Sequence, residues 1–386
     1  MIKKLFVASF VVFLFIPSTL LIFKLSKDSV SYEKRDLALL PQLFGIRKAS
    51  FLDAVKQFPT EFEAYLKDNL PYRNVIVGNT NLKKLEIFAQ SPTEKIHAGK
   101  DGMYFYNDAN FFEIGEAKKL FSQNELENWG KALVQRRDHA KANGADYLVI
   151  ITPIKATIYP ENLNNNYSIK VADYKKSDQL VEYIQKNTDI KINYLKDELQ
   201  TAKIEQSKNL QNPYLFYRTD SHWNSFGAKV GFEAIAKMTK IPLSLDKFEL
   251  NYANNSIGDL SLILGLGTLL PERNNPQFKY KESDELSYTS KADGGPIGIE
   301  VFDGSKASTV EYKSTKSSVN NNKIVLFRSS YVDYMEQFFG YNFGEAYFYK
   351  MPVQYDAKKV EKHKPNLVIQ EFSEQSLVEV PVVFNP

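Results

Sequence analysis

The chain of 386 residues contains no cysteine and only four histidines. The first absence excludes disulfides, thiol catalysis and cysteine-ligated zinc or iron–sulfur sites, and the scarcity of histidine argues against a histidine-rich metal site. A strong charge of either sign is also lacking, because 49 Lys and Arg residues face 46 Asp and Glu residues. The resulting net charge of +3 is too weak to indicate nucleic acid as a partner. We therefore expect no metal, no cofactor and no nucleic acid.

Long apolar runs are absent except for one uncharged stretch from Leu5 to Phe23, which has lysines on both sides. Nineteen residues of helix span about 28 Å, close to the roughly 30 Å hydrocarbon core of a bilayer. We predict that residues 1–24 form a transmembrane signal anchor in the inner, cytoplasmic membrane and that the rest is periplasmic or otherwise extracytoplasmic. A cleaved signal peptide is the alternative, although no small-x-small cleavage site follows the run.

The remaining sequence predicts two parts. Residues 25–95 read as a polar stalk followed by a helical extension, which consists of two helices separated near Leu70 and Pro71. Residues 96–386 show short apolar strands alternating with helices, which is typical of an α/β domain with a parallel sheet and flanking helices. Within this domain, residues 274–322 are rich in Lys, Ser, Asn and Gly, and we interpret them as a surface insertion.

Asp220 and His222 form the first candidate site. Residues two apart on an extended segment project to the same side, so Asp220 can fix which imidazole nitrogen carries the proton. In the alternative interpretation, Asp220 or Asn224 caps the following helix and His222 is a surface residue. The other three histidines are expected to be solvated: His97, His139 and His363.

Ser329 and Ser330 form the second candidate site, at a predicted junction from strand to helix. In open α/β sheets the ligand crevice lies beyond the carboxyl ends of the strands, and the N–H groups at a helix start favour a developing oxyanion. Because Ser is also a preferred N-cap residue, this pair alone does not distinguish catalysis from capping.

Eight short motifs follow one another along nearly the whole chain. They are E-x-R-x-L-A-x-x-P at 33–41, D-x-x-P-x-R at 68–73, G-K-D-G-aromatic at 99–106, P-x-K-x-x-x-Y-P at 153–160, D-x-H-W at 220–223, G-D-L at 258–260, the serine pair with Tyr at 329–331, and P-x-x-V-I-x-E at 365–371. With these motifs the sequence resembles the alginate O-acetyltransferase AlgJ/AlgX family, whose members carry an SGNH-hydrolase-like domain.

The resemblance implies an SGNH-hydrolase-like fold in a circularly permuted form, because the histidine and the aspartate precede the serine. It implies Ser330 as nucleophile, His222 as general base and acid, and Asp220 as the orienting carboxylate. Ser329 stands where an Asp is common in the family, and Arg328 stands where many SGNH proteins have Gly. Ser329 therefore remains the alternative nucleophile.

The resemblance also implies an activity, which is O-acetylation of an exported cell-surface polysaccharide through an acetyl-serine. The acetyl groups would come through a membrane-bound O-acyltransferase partner, because acetyl-CoA is cytoplasmic. Two alternatives stay open. One is a carbohydrate acetylesterase with the same triad, and the other is a non-catalytic envelope protein that binds the polysaccharide or the acyltransferase.

Five further residues are candidates for substrate binding near the triad. Arg218 and Arg328 are candidates for an anionic sugar, with a loop-anchoring role as the alternative. Lys155 and Tyr159 follow a strand end, where they either line the crevice or anchor the loop. We expect Trp223 to pack under the triad rather than to bind substrate, although it belongs to the same candidate set.

Overall fold

The computed structural model describes residues 6, 10–11, 38–41, 51–69, 72–88, 90–107, 120–163, 172–241, 245–280, 286–289, 299–301, 309–317, 320–351 and 353–378. The chain divides into two compact units, the first made of Met1–Ile96 with Ile257–Pro271 and the second of His97–Ser256 with Glu272–Pro386. In the described part, no helix is both long and apolar enough to span a bilayer. Apart from residues 6, 10 and 11, the predicted anchor lies outside the described residues, as does most of the predicted stalk.

The helices and strands follow one another along both units. In chain order they are α1 (Phe51–Asn69), α2 (Arg73–Phe88), β1 (Ile96–Ala98), β2 (Tyr104–Tyr106), α3 (Gln123–Ala142), β3 (Asp146–Thr152), α4 (Lys155–Ile158), α5 (Lys176–Asn187), β4 (Lys191–Tyr194), α6 (Lys196–Gln206), α7 (Ser225–Thr239), β5 (Phe248–Ala253), α8 (Asp259–Ile263), β6 (Asn275–Tyr280), β7 (Leu286–Thr289), β8 (Ile299–Val301), β9 (Thr309–Ser317), β10 (Lys323–Arg328), α9 (Glu336–Asn342), β11 (Glu345–Lys350), α10 (Ala357–His363) and β12 (Leu367–Ser373).

In the first unit, α2 packs on the segment that returns at 257–271. Gly78 on α2 lies so close to Leu269 that an added Cβ would approach its side chain to 2.9 Å. One turn further along α2, the side-chain amide of Asn81 donates to the carbonyl of Leu264 at 2.7 Å. The structure has the two helices predicted for this region, and a distant segment of the chain packs against the second of them.

The second unit is built on a mixed sheet with the strand order β4-β3-β12-β10-β11-β9-β7, in which β8 also pairs with β9. The five strands from β4 to β11 run parallel, as predicted. β9 pairs antiparallel with β11, and β7 and β8 pair antiparallel with β9. The prediction of a wholly parallel sheet is therefore wrong for one side of the sheet.

The segment 274–322 is also more than a surface insertion, because it supplies β6, β7, β8 and β9. β9 hydrogen-bonds along β11, which would otherwise expose its N–H and C=O groups at the edge of the sheet. Thr315 on β9 is buried against Gly340 of α9, where a Cβ would meet the threonine hydroxyl at 2.8 Å. This polar segment forms strands because β9 pairs with the edge of β11, which exists only in the folded sheet.

Helices cover both faces of the parallel strands, which confirms the predicted layering. Alternate residues of the central strands enter two separate apolar clusters, so that Leu326 faces one cluster and Phe327 faces the other. The first cluster includes residues of α6, α7 and α9, and the second includes residues of α3, α5 and α10. Because helices cover both faces of the sheet, the side open to a ligand is the one at the carboxyl ends of the strands, where the loops begin.

A buried ion pair ties together the carboxyl ends of β12 and β3. The Lys175 ammonium lies 3.0 Å from Glu374, and both side chains are almost fully buried. Glu374 also accepts hydrogen bonds from the N–H of Ile154 at 2.9 Å and from the hydroxyl of Thr157 at 2.7 Å. One carboxylate therefore joins the segments that follow two neighbouring strands to the start of α5.

Replacing Lys175 by Met should lower the free energy of unfolding by about 3–5 kcal/mol, because it leaves the Glu374 carboxylate buried without its cation. Denaturant unfolding measures this loss. The double variant Lys175→Met, Glu374→Gln removes both charges and keeps an oxygen that accepts from Ile154, so it should recover part of the stability. A single variant no less stable than the double one would contradict this account of the pair.

Candidate active site

The turn from Phe216 to Trp223 carries Asp220 and His222. Its two ends pair as an antiparallel bridge, and α7 begins directly after it. Asn224 is the N-cap of α7, since its side chain accepts hydrogen bonds from the first-turn N–H groups of that helix. The capping interpretation is therefore right for Asn224 and wrong for Asp220, whose carboxylate binds His222.

Asp220, His222 and Ser330 form one continuous hydrogen-bonded set. Asp220 Oδ1 lies 2.7 Å from His222 Nδ1 and also accepts the backbone N–H of His222 at 3.0 Å. His222 Nε2 lies 2.7 Å from Ser330 Oγ. The side chains of His222 and Asp220 keep 17% and 13% of their surface exposed, so both are partly open to solvent. Both ring nitrogens thus have the partners that a general base needs.

Ser329 and Ser330 have different surroundings, although they are adjacent. Ser329 is the N-cap of a short 3-10 turn, Ser330–Tyr334, that follows β10, and its hydroxyl accepts from the N–H of Tyr331. The same hydroxyl and the N–H of Ser329 both contact the carboxylate of Glu371. The structure therefore brings Ser330, and not Ser329, to the histidine.

Two tyrosine rings pack against the imidazole of His222. The ring of Tyr331 packs at 5.0 Å and that of Tyr334 at 5.6 Å from the His222 ring. Trp223 is fully buried and donates its indole N–H to the carbonyl of Tyr331 at 2.9 Å, so it packs against the residue that follows Ser330 and has no exposed surface. Burial raises the pKa of the Tyr217 phenol, and the nearby Asp220 carboxylate acts in the same direction, so Tyr217 stays neutral.

Two oppositely charged side chains hold the turn that carries Asp220. Lys155 is buried, and its ammonium donates to the carbonyls of Tyr104 and Asp220 and, at 3.4 Å, to that of Arg218. On the other side, the buried Glu272 carboxylate accepts the N–H groups of Arg218 and Thr219 at 3.2 and 2.8 Å. A cation thus binds the carbonyls of the turn and a carboxylate binds its N–H groups. Of the two interpretations of Lys155, the structure supports the loop anchor.

Lys155→Met should lower the catalytic rate by about 10- to 100-fold with little change in KM, because the turn that positions Asp220 loses its shared donor. Steady-state kinetics on an activated acetyl ester measures the effect. Lys203→Met is the matched control, since Lys203 donates to the carbonyl of Ile158 and does not contact the turn. Equal losses in the two variants would show that the effect does not depend on the contacts of Lys155 with the turn.

The prediction of substrate binding is wrong for two of the candidate residues, because both are buried. Tyr159 is only 2% exposed, because its ring packs against those of Tyr214 and Phe216 and its hydroxyl accepts the N–H of Leu215 at 2.8 Å. Arg328 is fully buried and pairs with Asp333 at 2.7 Å and Glu336 at 2.8 Å, because the last side chain of β10 points into the protein. Neither side chain is available to a sugar.

Arg218 is placed differently from these two residues. Its side chain is 35% exposed and lies next to the triad turn, with Nε 3.7 Å from the Glu272 carboxylate. Of the five candidates, Arg218 is therefore the one with a substantially exposed side chain beside the triad.

Sequence reasoning gave no role to two buried carboxylates of the site, Glu272 and Glu371, or to the buried Glu374 that pairs with Lys175. Burial raises the pKa of the Glu371 carboxyl, and hydrogen bonds from Ser329 oppose that rise. A signal was present for Glu371, since it is the one acidic residue in the otherwise uncharged strand β12. Glu272 has no such signal, because it follows a loop and meets the triad turn only in the fold.

A serine that follows a parallel strand and is hydrogen-bonded to a histidine–aspartate pair is the arrangement expected of an SGNH-hydrolase-like protein. Residues 96–294, just over half of the chain, match the family model described as SGNH hydrolase-like domain, acetyltransferase AlgX. The chain belongs to this AlgJ/AlgX-like family.

Individual relatives are more distant. The chain is 26% identical over 152 residues to the probable alginate O-acetylase AlgJ of Pseudomonas putida, a match that spans 39% of this chain and 37% of that protein. Among solved structures, a DHHW family protein from Eubacterium siraeum is similar with a TM-score of 0.50 at 14% identity, covering 73% of this chain and 95% of the other. The O-acetyltransferase domain of Pseudomonas putida AlgJ has a TM-score of 0.46 at 18% identity over 75% of this chain and 95% of that one. The Eubacterium structure supports the fold alone.

Proposed function

We propose that the protein is an O-acetyltransferase that acts on an exported cell-surface polysaccharide through an acetyl-Ser330 intermediate. The observation that carries the proposal is the continuous hydrogen-bonded set from Asp220 through His222 to Ser330, in a member of a family described as acetyltransferases. The hydrogen-bonded set by itself supports acyl transfer in general. Membership of a family described as acetyltransferases supports the acetyl group as the group that is transferred.

In the first half-reaction, Ser330 Oγ attacks the carbonyl carbon of an acetyl donor while His222 Nε2 takes its proton. The tetrahedral oxyanion accepts the N–H of Ser330, which lies at the first position of its turn, where no acceptor is supplied from within the turn. The protonated imidazole then gives its proton to the leaving group, which departs as the acetyl-serine ester forms. Asp220 keeps the proton on Nδ1 and stabilises the transient positive charge.

In the second half-reaction, a sugar hydroxyl replaces the donor. His222 Nε2 takes the hydroxyl proton as the sugar oxygen attacks the acetyl carbonyl, and it returns that proton to Ser330 Oγ when the ester bond to serine breaks. The enzyme ends in its starting protonation state. Arg218 is the exposed charge beside the set, and we assign it to contact with the acceptor glycan.

The remaining parts of the proposal concern location and supply. The lysine-flanked run at residues 1–24 would hold the protein at the inner membrane with the α/β unit on the extracytoplasmic side. Acetyl-CoA is absent from that side, so a membrane-bound O-acyltransferase would have to pass the acetyl group through the bilayer. Detergent-solubilised full chain that remains active with a small acetyl ester would separate this supply step from the chemistry.

The test uses the purified full chain with an activated acetyl ester, with and without a polysaccharide acceptor. Mass spectrometry should find acetyl on the peptide that contains Ser330, and acetyl should then appear on the glycan. Release of acetate to water at a rate that the acceptor does not change would identify an acetylesterase instead. Glycan binding with no acetyl-serine and no turnover would identify a non-catalytic envelope protein.

A further inference from the structure

Glu371 is a buried carboxylate directly behind the candidate nucleophile. It lies on the central strand β12, which pairs in parallel with β10, and its side chain is excluded from solvent. Its Oε2 accepts the N–H of Ser329 at 2.6 Å, and its Oε1 lies 3.0 Å from the hydroxyl of Ser329. Both carboxylate oxygens are therefore used on the residue that immediately precedes Ser330.

The direction of each bond follows from the number of protons available. The Ser329 hydroxyl accepts the N–H of Tyr331, so its one proton is left to donate to Glu371. The N–H of Ser329 donates to the other oxygen of the same carboxylate. Glu371 thus fixes Ser329 at two points, in the extended conformation with φ −88° and ψ −176° from which the turn at Ser330 starts.

A second carboxylate at the end of the same strand shows that burial alone does not explain this arrangement. Glu374 is as buried as Glu371, but it binds Lys175, Thr157 and the N–H of Ile154, all away from the serine pair. Glu374 therefore serves an ion pair between segments. Glu371 instead binds Ser329 with both of its oxygens, at the start of the turn that carries Ser330.

We propose that Glu371 is a positioning residue for acyl transfer, which holds the backbone before Ser330 so that Ser330 Oγ meets His222 Nε2. This role rests on the proposed function, in which Ser330 is the nucleophile. It acts through Ser329 and requires no contact with substrate. A carboxylate is suited to it because both of its oxygens accept, while the amide of Gln offers one acceptor and turns a donor toward the Ser329 hydroxyl or N–H.

The experiment measures how fast phenylmethylsulfonyl fluoride modifies Ser330 in the full chain. Ser330 Oγ attacks sulfur, fluoride leaves, and His222 takes the serine proton, so the reaction needs the nucleophile geometry but no acetyl donor or glycan. Glu371→Gln should lower the maximal modification rate by about tenfold or more, with the half-saturating reagent concentration unchanged. The midpoint of the pH–rate profile should also stay the same, because Glu371 does not touch His222.

Glu374→Gln is the matched control, with thermal unfolding recorded for every variant. It should lose stability and keep the wild-type modification rate in its folded fraction. Ser329→Ala removes the hydroxyl's bonds to Glu371 and to the N–H of Tyr331 but keeps the backbone N–H bond to Glu371, so it should slow modification by less than Glu371→Gln does. If Glu371→Gln fails to fold, Ser329→Ala decides, and a wild-type rate in that variant overturns the proposal.

The two proposals fail in different ways. A folded Glu371→Gln variant that is modified at the wild-type rate, or an equal slowing in Glu374→Gln, overturns the positioning role and leaves the proposed function intact. Wild-type protein that is not modified at Ser330 overturns the proposed function, and the positioning role with it.

Discussion

Ser330→Ala is expected to abolish acetyl transfer, with a loss of about 10⁶-fold in kcat or down to the background rate. The reason is that the variant lacks the oxygen that lies 2.7 Å from His222 Nε2 and would carry the acetyl group. Acetyl-enzyme should disappear from the mass spectrum in single-turnover reactions. The fold should be retained, since the hydroxyl of Ser330 is part of the hydrogen-bonded triad and not of the apolar core.

Ser329→Ala provides the comparison that assigns the nucleophile. Ser329 contacts Glu371 and the N–H of Tyr331 instead of His222, so its loss should lower the rate by no more than about tenfold. Acetyl-enzyme should still form in that variant. The assignment would be reversed if Ser329→Ala were inactive and Ser330→Ala still formed an acetyl-enzyme.

Asp220→Asn should lower kcat by about 10⁴-fold with little change in KM. The substituted amide is close in shape, but if its NH₂ faces the ring it donates to Nδ1 and favours the histidine tautomer that cannot accept the serine proton. Asp220 also accepts the N–H of His222, and a turned amide would lose that bond as well. Steady-state kinetics on an activated acetyl ester measures the loss.

Asp333→Asn is the control for this prediction. Asp333 lies close to Ser330 in the chain and pairs with Arg328, which keeps Glu336 as a second partner. Its activity should stay within a few-fold of wild type. An Asp220→Asn variant that kept about a tenth of the activity would mean that the carboxylate does not orient the imidazole.

The chemistry-bearing residues were the most predictable part of the structure, for a physical reason. Asp220 and His222 are two residues apart, so local geometry alone brings them together. The position of the serine pair after an apolar strand was also predictable, whereas the choice of Ser330 over Ser329 came from the family resemblance. The strands and helices that build the parallel half of the sheet were predictable because their apolar patterns are strong. These features follow from short stretches of sequence and do not depend on tertiary contacts.

The side chains around the triad were less predictable, because burial at a strand end depends on which way the chain turns. Arg328 and Tyr159 stand at such positions, and both point into the protein. β9 was missed because its Lys- and Ser-rich sequence becomes a strand only against the open edge of β11. These outcomes are set by tertiary contacts that no local pattern contains.

The prediction that the remaining histidines are solvated is wrong for the same reason. His97 and His363 are buried, and the ring of His139 lies between Tyr355 and Glu361. Burial lowers the pKa of His363 to about 4, and the neighbouring lysines act in the same direction. A histidine near a charged helix end looks exposed in sequence, although the helix turns it toward the sheet.

The position of β12 links the activity to the order in which the chain is made. Among the described strands it is synthesised last, yet it lies in the middle of the sheet, with β3 on one side and β10 on the other. While β12 is still inside the ribosome, β3 and β10 have emerged but lack the strand that lies between them in the sheet. Ser330 follows β10, and the Lys155 that anchors the Asp220 turn follows β3. We expect the nascent chain to remain unable to acylate itself until this strand inserts.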